Sequence, residues 1–428
     1  MMLCIRKCGS WLKTSSWLVP GQLVLLVPVL FVLAAGPAMA EPVVKVTWQD
    51  VVQLVEQHPA IAGANFMVDA ARGGVAAARA VPNPTVEGTI GKGSALVGND
   101  SRLEWGVALT LPLEWIARRG ASVRVASAEV DVATAEGVKL KRDVELQLRI
   151  LFWSLAGQQA GVASLQELES HTLALVEMVR KRVEKGEARP VEVVRVEIEL
   201  EKVRSDLEAA RTLLAAAQAE IGLWFGGSTG KTIEVDADLD TLPVAVDRDT
   251  ALTDARANYP ELVAVRARTR SLEAEIDVEK VARFPAFSVT GFTDYELDKF
   301  AFGLTVGIDL PIWNWNSGRI NQAKARLAAG QKLAEVSALE LDSAVLQAHA
   351  ACQSSSQTAT RLKNNVVPRS ESAASQTEKS YQFGEASLLE VIDARRTVLE
   401  SRRNYIGALA QAQIDCSRLG SLVAKEPR

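Results

Sequence analysis

Tyr381–Ala394 reads YQFGEASLLEVIDA, and 198 residues earlier Val183–Val196 reads VEKGEARPVEVVRV. Superposing Gly186 on Gly384 also superposes Glu187 on Glu385, Ala188 on Ala386, Glu192 on Glu390 and Val193 on Val391. In both copies a long, Ala-rich amphipathic stretch runs into a glycine, turns over a few residues and resumes as a second helical stretch. Glycine suits the left-handed position just past a helix end, and Pro190 suits the first turn of a returning helix. The repeated unit is therefore a helical hairpin, with tips at about 184–190 and 382–388. His58-Pro59 and Tyr259-Pro260, 201 residues apart, extend the duplication toward the N-terminus. It divides the chain into a first repeat over 41–226, a joining segment over 227–249 and a second repeat over 250–428.

Residues 1–40 read as an export signal: Arg6, Lys7 and Lys13 precede an apolar run from Leu18 to Ala35, and Ala38, Met39, Ala40 supply a small-x-small cleavage pattern. Pro20 and Pro28 argue against a retained anchor. Without that segment the chain carries 45 Lys and Arg against 52 Asp and Glu, a net charge of about −7, which argues against nucleic acid as a partner. Cys4 and Cys8 leave with the signal, and no cysteine stands at the new N-terminus to carry lipid. Cys352 and Cys416 lie 32 residues before and after Gly384, so a hairpin folded there brings them to one height. Height does not fix the helix face, and two readings stay open: a disulfide, which an exported compartment permits, or two separate buried thiols.

Four stretches alternate with the period of a strand, at about 84–92, 102–112, 285–296 and 299–311. In the last, Phe300, Phe302, Leu304, Val306, Ile308 and Leu310 face one way, and Ala301, Gly303, Thr305, Gly307 and Asp309 the other. A soluble sandwich shows such alternation too. Membrane strands are favoured by the export signal, by lengths near ten residues, and by Trp115, Trp313 and Trp315 where the strand pairs end. Four strands cannot close a barrel, and an open edge in lipid leaves backbone groups unpaired at several kcal/mol each. Several chains must therefore pool their strands, as a dimer with eight or a trimer with twelve.

Long helical stretches follow each strand pair. Thr47–Ala80 is also helical, with Val51, Val52, Leu54 and Val55 on one face. Pro368 is expected to kink or break the second long stretch, and Val191, Val194 and Ile198 share one face of the first returning helix. Catalytic constellations are lacking. His58, His171 and His349 are scattered, no Cys cluster accompanies them, and neither a metal site nor a cofactor is indicated. The string FGGSTGKT has Phe225 where a phosphate loop needs its first glycine. The chain reads as a non-enzyme; a soluble periplasmic helical scaffold or adaptor without a pore is the competing function.

The duplicated plan, the strand ends LTLPLEW and IDLPIWNWNSG, and the motif YQFGEASLLEVIDARRTVLES resemble the TolC-like outer-membrane efflux protein family over essentially the whole mature chain. GIDLPIWNWNSGRI is similar to the heavy-metal efflux branch. The resemblance implies a mainly α chain with a membrane β part: four strands per chain in a twelve-stranded barrel of a homotrimer, continued by a periplasmic helical tunnel. It implies a passive outer-membrane exit duct that works with a periplasmic adaptor protein and an inner-membrane efflux pump, both docking at the hairpin tips around Gly186, Glu187, Gly384 and Glu385. Glu390 and Asp393 take the place of the family's acidic rings at the periplasmic aperture. Tyr381 and Glu192 take the place of its closing contact. The basic partner expected beside them falls on Ala386, so that part of the closing contact is either missing or supplied elsewhere, by Arg189 or Arg195.

Overall fold

A computed structural model of the chain describes residues 43–94, 101–224, 232–244, 246–296 and 299–423. The export-signal reading, the tip of the first strand pair and nearly all of the Gly-rich string at 225–232 lie outside the described residues.

Each repeat opens on a short strand and two helices: β1 (Val43–Val46), α1 (Trp48–Gln57) and α2 (Pro59–Arg79) in the first. Thr47 and Asp50 close a capping box on α1, and His58 Nδ1 accepts the Ala60 N–H at 3.2 Å to start α2. His58 is thus a helix cap. The residue before a proline is driven out of helical geometry, so the helical stretch over 47–80 divides at His58-Pro59, where ψ of His58 is 133°.

The first long strand pair is β2 (Thr85–Ser94) and β3 (Ser101–Pro112), followed by α3 (Glu114–Glu184) and the returning α4 (Pro190–Trp224). The second repeat answers with β4 (Thr232–Val235), α5 (Arg248–Asn258), α6 (Pro260–Val281), β5 (Ala286–Glu296) and β6 (Lys299–Asp309). β4 pairs in parallel with β1, Val43 opposite Thr232 through Val46 opposite Val235. Neither strand shows in the sequence, because four residues are too few to reveal a period, and the segment joining the repeats is accordingly more ordered than its composition suggests.

The larger sheet is antiparallel throughout in the order β2-β3-β5-β6. Its register puts Val86, Leu109 and Leu304 in one row, Val107 and Phe302 in the next, and Ile90, Trp105, Tyr295 and Phe300 in a third, all on one face. That face is bare: Phe302 is 80% exposed and Leu304 78%. The opposite face is mostly small and polar, with Phe292 lying over Gly303 as its one large apolar side chain among the described strand residues; Thr85, Thr110, Thr290 and Thr305 share one row, and Thr110 Oγ1 is 2.9 Å from Thr290 Oγ1.

α3 runs unbroken for 71 residues, roughly 100 Å at 1.5 Å per residue. Its counterpart is α7 (Ser317–Arg361), a π turn over Leu362–Val366, and α8 (Val367–Gln382), before α9 (Leu388–Val423) returns. Pro368 has no N–H and its ring crowds the carbonyl four residues back, that of Asn364; the wider π turn makes that room. The helix therefore neither breaks nor ends.

Three apolar cores hold these pieces. One joins β1, α1, α3, α4 and β4 through Val46, Val51, Phe152, Ile221 and Ile233. Another joins α5, α7 and α9 through Ala251, Ala255, Val345 and Leu419. Within it Cys352 and Cys416 form a disulfide, Cα atoms 4.6 Å apart, which decides between the two readings of that pair. The third joins both hairpins near their tips. On α4 the stripe that packs is Val196, Leu200, Val203 and Leu207, whereas Val191, Val194 and Ile198 point outward. No described helix is long and apolar enough to cross a membrane.

Candidate functional site

The hairpin tips carry the candidate aperture residues. Both helices end in the same way. Gly186 and Gly384 stand at φ +74° and +80°, the Glu187 N–H bonds the Arg182 carbonyl at 2.8 Å, and the Glu385 N–H bonds that of Ser380 at 2.8 Å. These are paired Schellman closures, which satisfy the last carbonyls of each helix and need a residue free to adopt positive φ. They present Glu187 and Glu385 as exposed turn residues.

Between the tips, Tyr381 of α8 is 4% exposed, packed among Val179, Val196, Leu388 and Val391. Its hydroxyl donates to Glu192 Oε2 at 3.1 Å, joining the second tip to the start of α4. Burial, and then the bond to Glu192, push the phenol up to about 12, so it stays a donor through the physiological range. The basic residue at this contact is one that the sequence did not disclose. Arg182 of α3 lies 4.5 Å over the Tyr381 ring, donates to the Tyr381 carbonyl through Nη1, and has Nε 3.7 Å from Glu187 Oε2. Of the candidates named above, Arg189 meets Glu192 at 3.5 Å, while Arg195 is exposed and makes no ion pair among the described residues. Ala386 is half-buried and packs on the tip core. Position 182 sits in a run of Lys and Arg, so only packing distinguishes it.

Glu390 and Asp393 are exposed in the first turns of α9. Glu390 Oε2 accepts from Ser387 N–H at 2.7 Å and from its hydroxyl at 3.1 Å, closing a capping box. The two carboxylates therefore share an exposed helix start, one of them tied to the cap.

Above the tips, three arginines of α9 bind the hairpins together. Arg396 forks onto Glu199 of α4 (2.7 Å from Nε), Arg402 bridges Glu371 of α8 (2.8 Å) and Glu167 of α3 (2.6 Å), and Arg395 reaches Glu378 and the His171 carbonyl. Hydrogen bonding from Arg396 is the main cause that holds the Glu199 carboxyl below its ordinary value. Among the described residues no cluster of three or more His, Cys, Asp or Glu is placed to hold a metal ion.

The profile of the outer membrane efflux protein family matches residues 51–227 and 251–425, nearly all of both repeats. The chain belongs to this family. It is similar to the cobalt-zinc-cadmium resistance protein CzcC of Cupriavidus metallidurans, 26% identical over 396 residues covering 90% of each chain. Its fold is similar to that of a membrane protein from Pseudomonas aeruginosa (TM-score 0.76, 17% identity, 88% of this chain and 92% of that one). It is also similar to the outer-membrane channel OprN (TM-score 0.73, 17% identity, 89% and 90%). This outer membrane efflux protein has the TolC-like architecture, a membrane barrel part continued by a periplasmic helical tunnel. It is the outer-membrane exit duct of a tripartite efflux system. The soluble-scaffold reading is set aside.

Proposed function

We propose that three copies of this chain close one twelve-stranded barrel, and that the duct passively carries divalent metal cations delivered by an inner-membrane pump through a periplasmic adaptor. The carrying observation is the sheet itself: it is apolar on one face, and its edges β2 and β6 each lack a partner among the described strands. Strand direction alternates across the sheet, so β6 of one copy meets β2 of the next antiparallel, and every backbone group finds a partner. The outward Val191, Val194 and Ile198 of α4 then meet a neighbouring copy. Cross-linking of the detergent-extracted protein should trap three chains; a complex of one or two would sink this assembly.

The cargo reading leans on the relative named for cobalt, zinc and cadmium resistance and on the exposed Glu390 and Asp393. On a three-fold axis those carboxylates form stacked anionic rings that attract cations and repel anions. The Tyr381–Glu192 bond, with Arg182 and Arg189, holds the aperture closed at rest. Adaptor and pump dock at the tips, around Gly186, Glu187, Gly384 and Glu385, and along a groove of about 190 Å³ floored by Leu168, Ala374, Val398 and Leu399. Nothing in this reading needs catalysis or a bound cofactor, since the pump supplies the free energy. Glu390→Ala with Asp393→Ala should weaken cation preference in planar bilayers, and unchanged selectivity would remove both residues from the aperture. Cells lacking the gene should become sensitive to zinc, cobalt or cadmium; unaltered metal tolerance would redirect the cargo assignment and leave the assembly standing.

A further inference from the structure

The four segments that cross between sheet and helices, 76–84, 113–121, 277–285 and 310–320, carry six cations and three anions in a chain that is net acidic. The opposite end of the sheet is balanced among its described residues, Lys92, Arg102 and Lys299 against Glu104, Asp294 and Glu296. Each of the three anions in the crossing segments is already engaged: Glu114 with Arg118 at 3.6 Å, Asp277 with Lys280 at 3.2 Å, and Glu279 with Asn316 Nδ2 at 2.7 Å. Arg119 and Arg283 make no ion pair among the described residues and are exposed.

Both of these arginines stand beside a tryptophan at the foot of the barrel, one in each repeat. The Arg119 guanidinium lies 5.6 Å from the centre of the Trp115 ring, and Arg283 Nε donates to the Trp315 carbonyl at 3.1 Å. Large apolar side chains surround them in the open: Ile116, Phe284, Ile312 and Trp313, the last 93% exposed. Tryptophan at a sheet end marks the depth of lipid headgroups, and a guanidinium held there has its remaining N–H groups free for a planar, two-point grip on phosphate.

We infer that Arg119 with Trp115 and Arg283 with Trp315 form two repeat-related clamps for the headgroup phosphate of anionic phospholipid in the periplasm-facing leaflet. The inference rests on the outer-membrane placement of the sheet. The uncompensated cations select lipid of net negative charge, and the exposed apolar side chains lie along the acyl chains.

The test uses the full-length protein in detergent, titrated with short-chain phosphatidylglycerol, with phosphatidylcholine, and with inorganic phosphate. Phosphatidylglycerol should bind about tenfold or more tightly than phosphatidylcholine, and millimolar phosphate should not compete. A cation at a membrane surface is worth a factor of about five, so Arg119→Gln with Arg283→Gln should weaken phosphatidylglycerol roughly 25-fold, and each single variant about fivefold. Lys at both positions should keep affinity within about fivefold of the parent, losing the planar grip but not the charge. Planar-bilayer conductance of each variant is read alongside, so a failed clamp and a failed duct give different results. If the double Gln variant forms no channels, the single variants and the Lys pair decide. Equal binding of phosphatidylglycerol by parent and Gln variants, no preference over phosphatidylcholine, or displacement by inorganic phosphate would each overturn the clamp.

Discussion

Tyr381 is held from three directions: its hydroxyl by Glu192, its ring face by Arg182, and its carbonyl by Arg182 Nη1. Tyr381→Phe removes only the first, at a cost of about 1 kcal/mol, and should raise leak through the resting aperture in planar bilayers. Arg182→Met removes the other two and should raise it further, because a charge-assisted bond and a cation–π contact are lost together. If neither variant leaks more than the parent, this contact does not hold the aperture shut. The pH dependence follows from two groups. The Tyr381 phenol is raised, so its contribution is full below the ordinary value of 10 and is lost as pH rises toward about 12. Glu199 is depressed, so the Arg396 pair contributes fully above the ordinary carboxyl value of 4.5 and is lost as pH falls below it. Leak should therefore stay flat between those limits and rise in stronger acid. A midpoint near neutrality would mean that other groups govern the tips.

The second hairpin differs from the first in two built-in features, the π turn and the disulfide. Replacing Pro368 by Ala restores an N–H and removes the ring, so the π turn loses its cause. Hydrogen exchange over residues 362–368 should slow in that variant; unchanged protection would assign the wide turn to packing. The bridge closes a 64-residue separation between α7 and α9, which by loop entropy is worth about 4 kcal/mol. Cys352→Ser with Cys416→Ser should lower the unfolding midpoint and expose the hairpin to protease. The hairpins, their tips and their return points were readable from Gly186, Pro190 and Gly384, because a chain reversal needs particular backbone freedom at a particular residue. Arg182 was not readable. It comes within reach of Tyr381, 199 positions away, only when the two hairpins close on one core near their tips.

For the assembled duct, the decisive feature is one largely apolar sheet face beside one made mostly of small and polar residues. If the apolar face meets lipid as proposed, Phe302→Arg should destabilise insertion by about 2–4 kcal/mol per chain, whereas Ala301→Arg, one residue away on the opposite face, should insert and alter conductance instead. Loss of insertion in both, or in neither, would reverse the assignment of faces. Strand alternation and the duplicated hairpin were both present in the order of residues, since side-chain period and repeat spacing are local properties that can be counted. The β1–β4 pair, the choice of Val196 and Leu200 over Val194 and Ile198 as the packed stripe of α4, and the Cys352–Cys416 bridge had to await the folded chain. Each depends on which of several chemically equivalent faces turns toward a distant neighbour, and that direction is set by packing between segments, which no local pattern encodes.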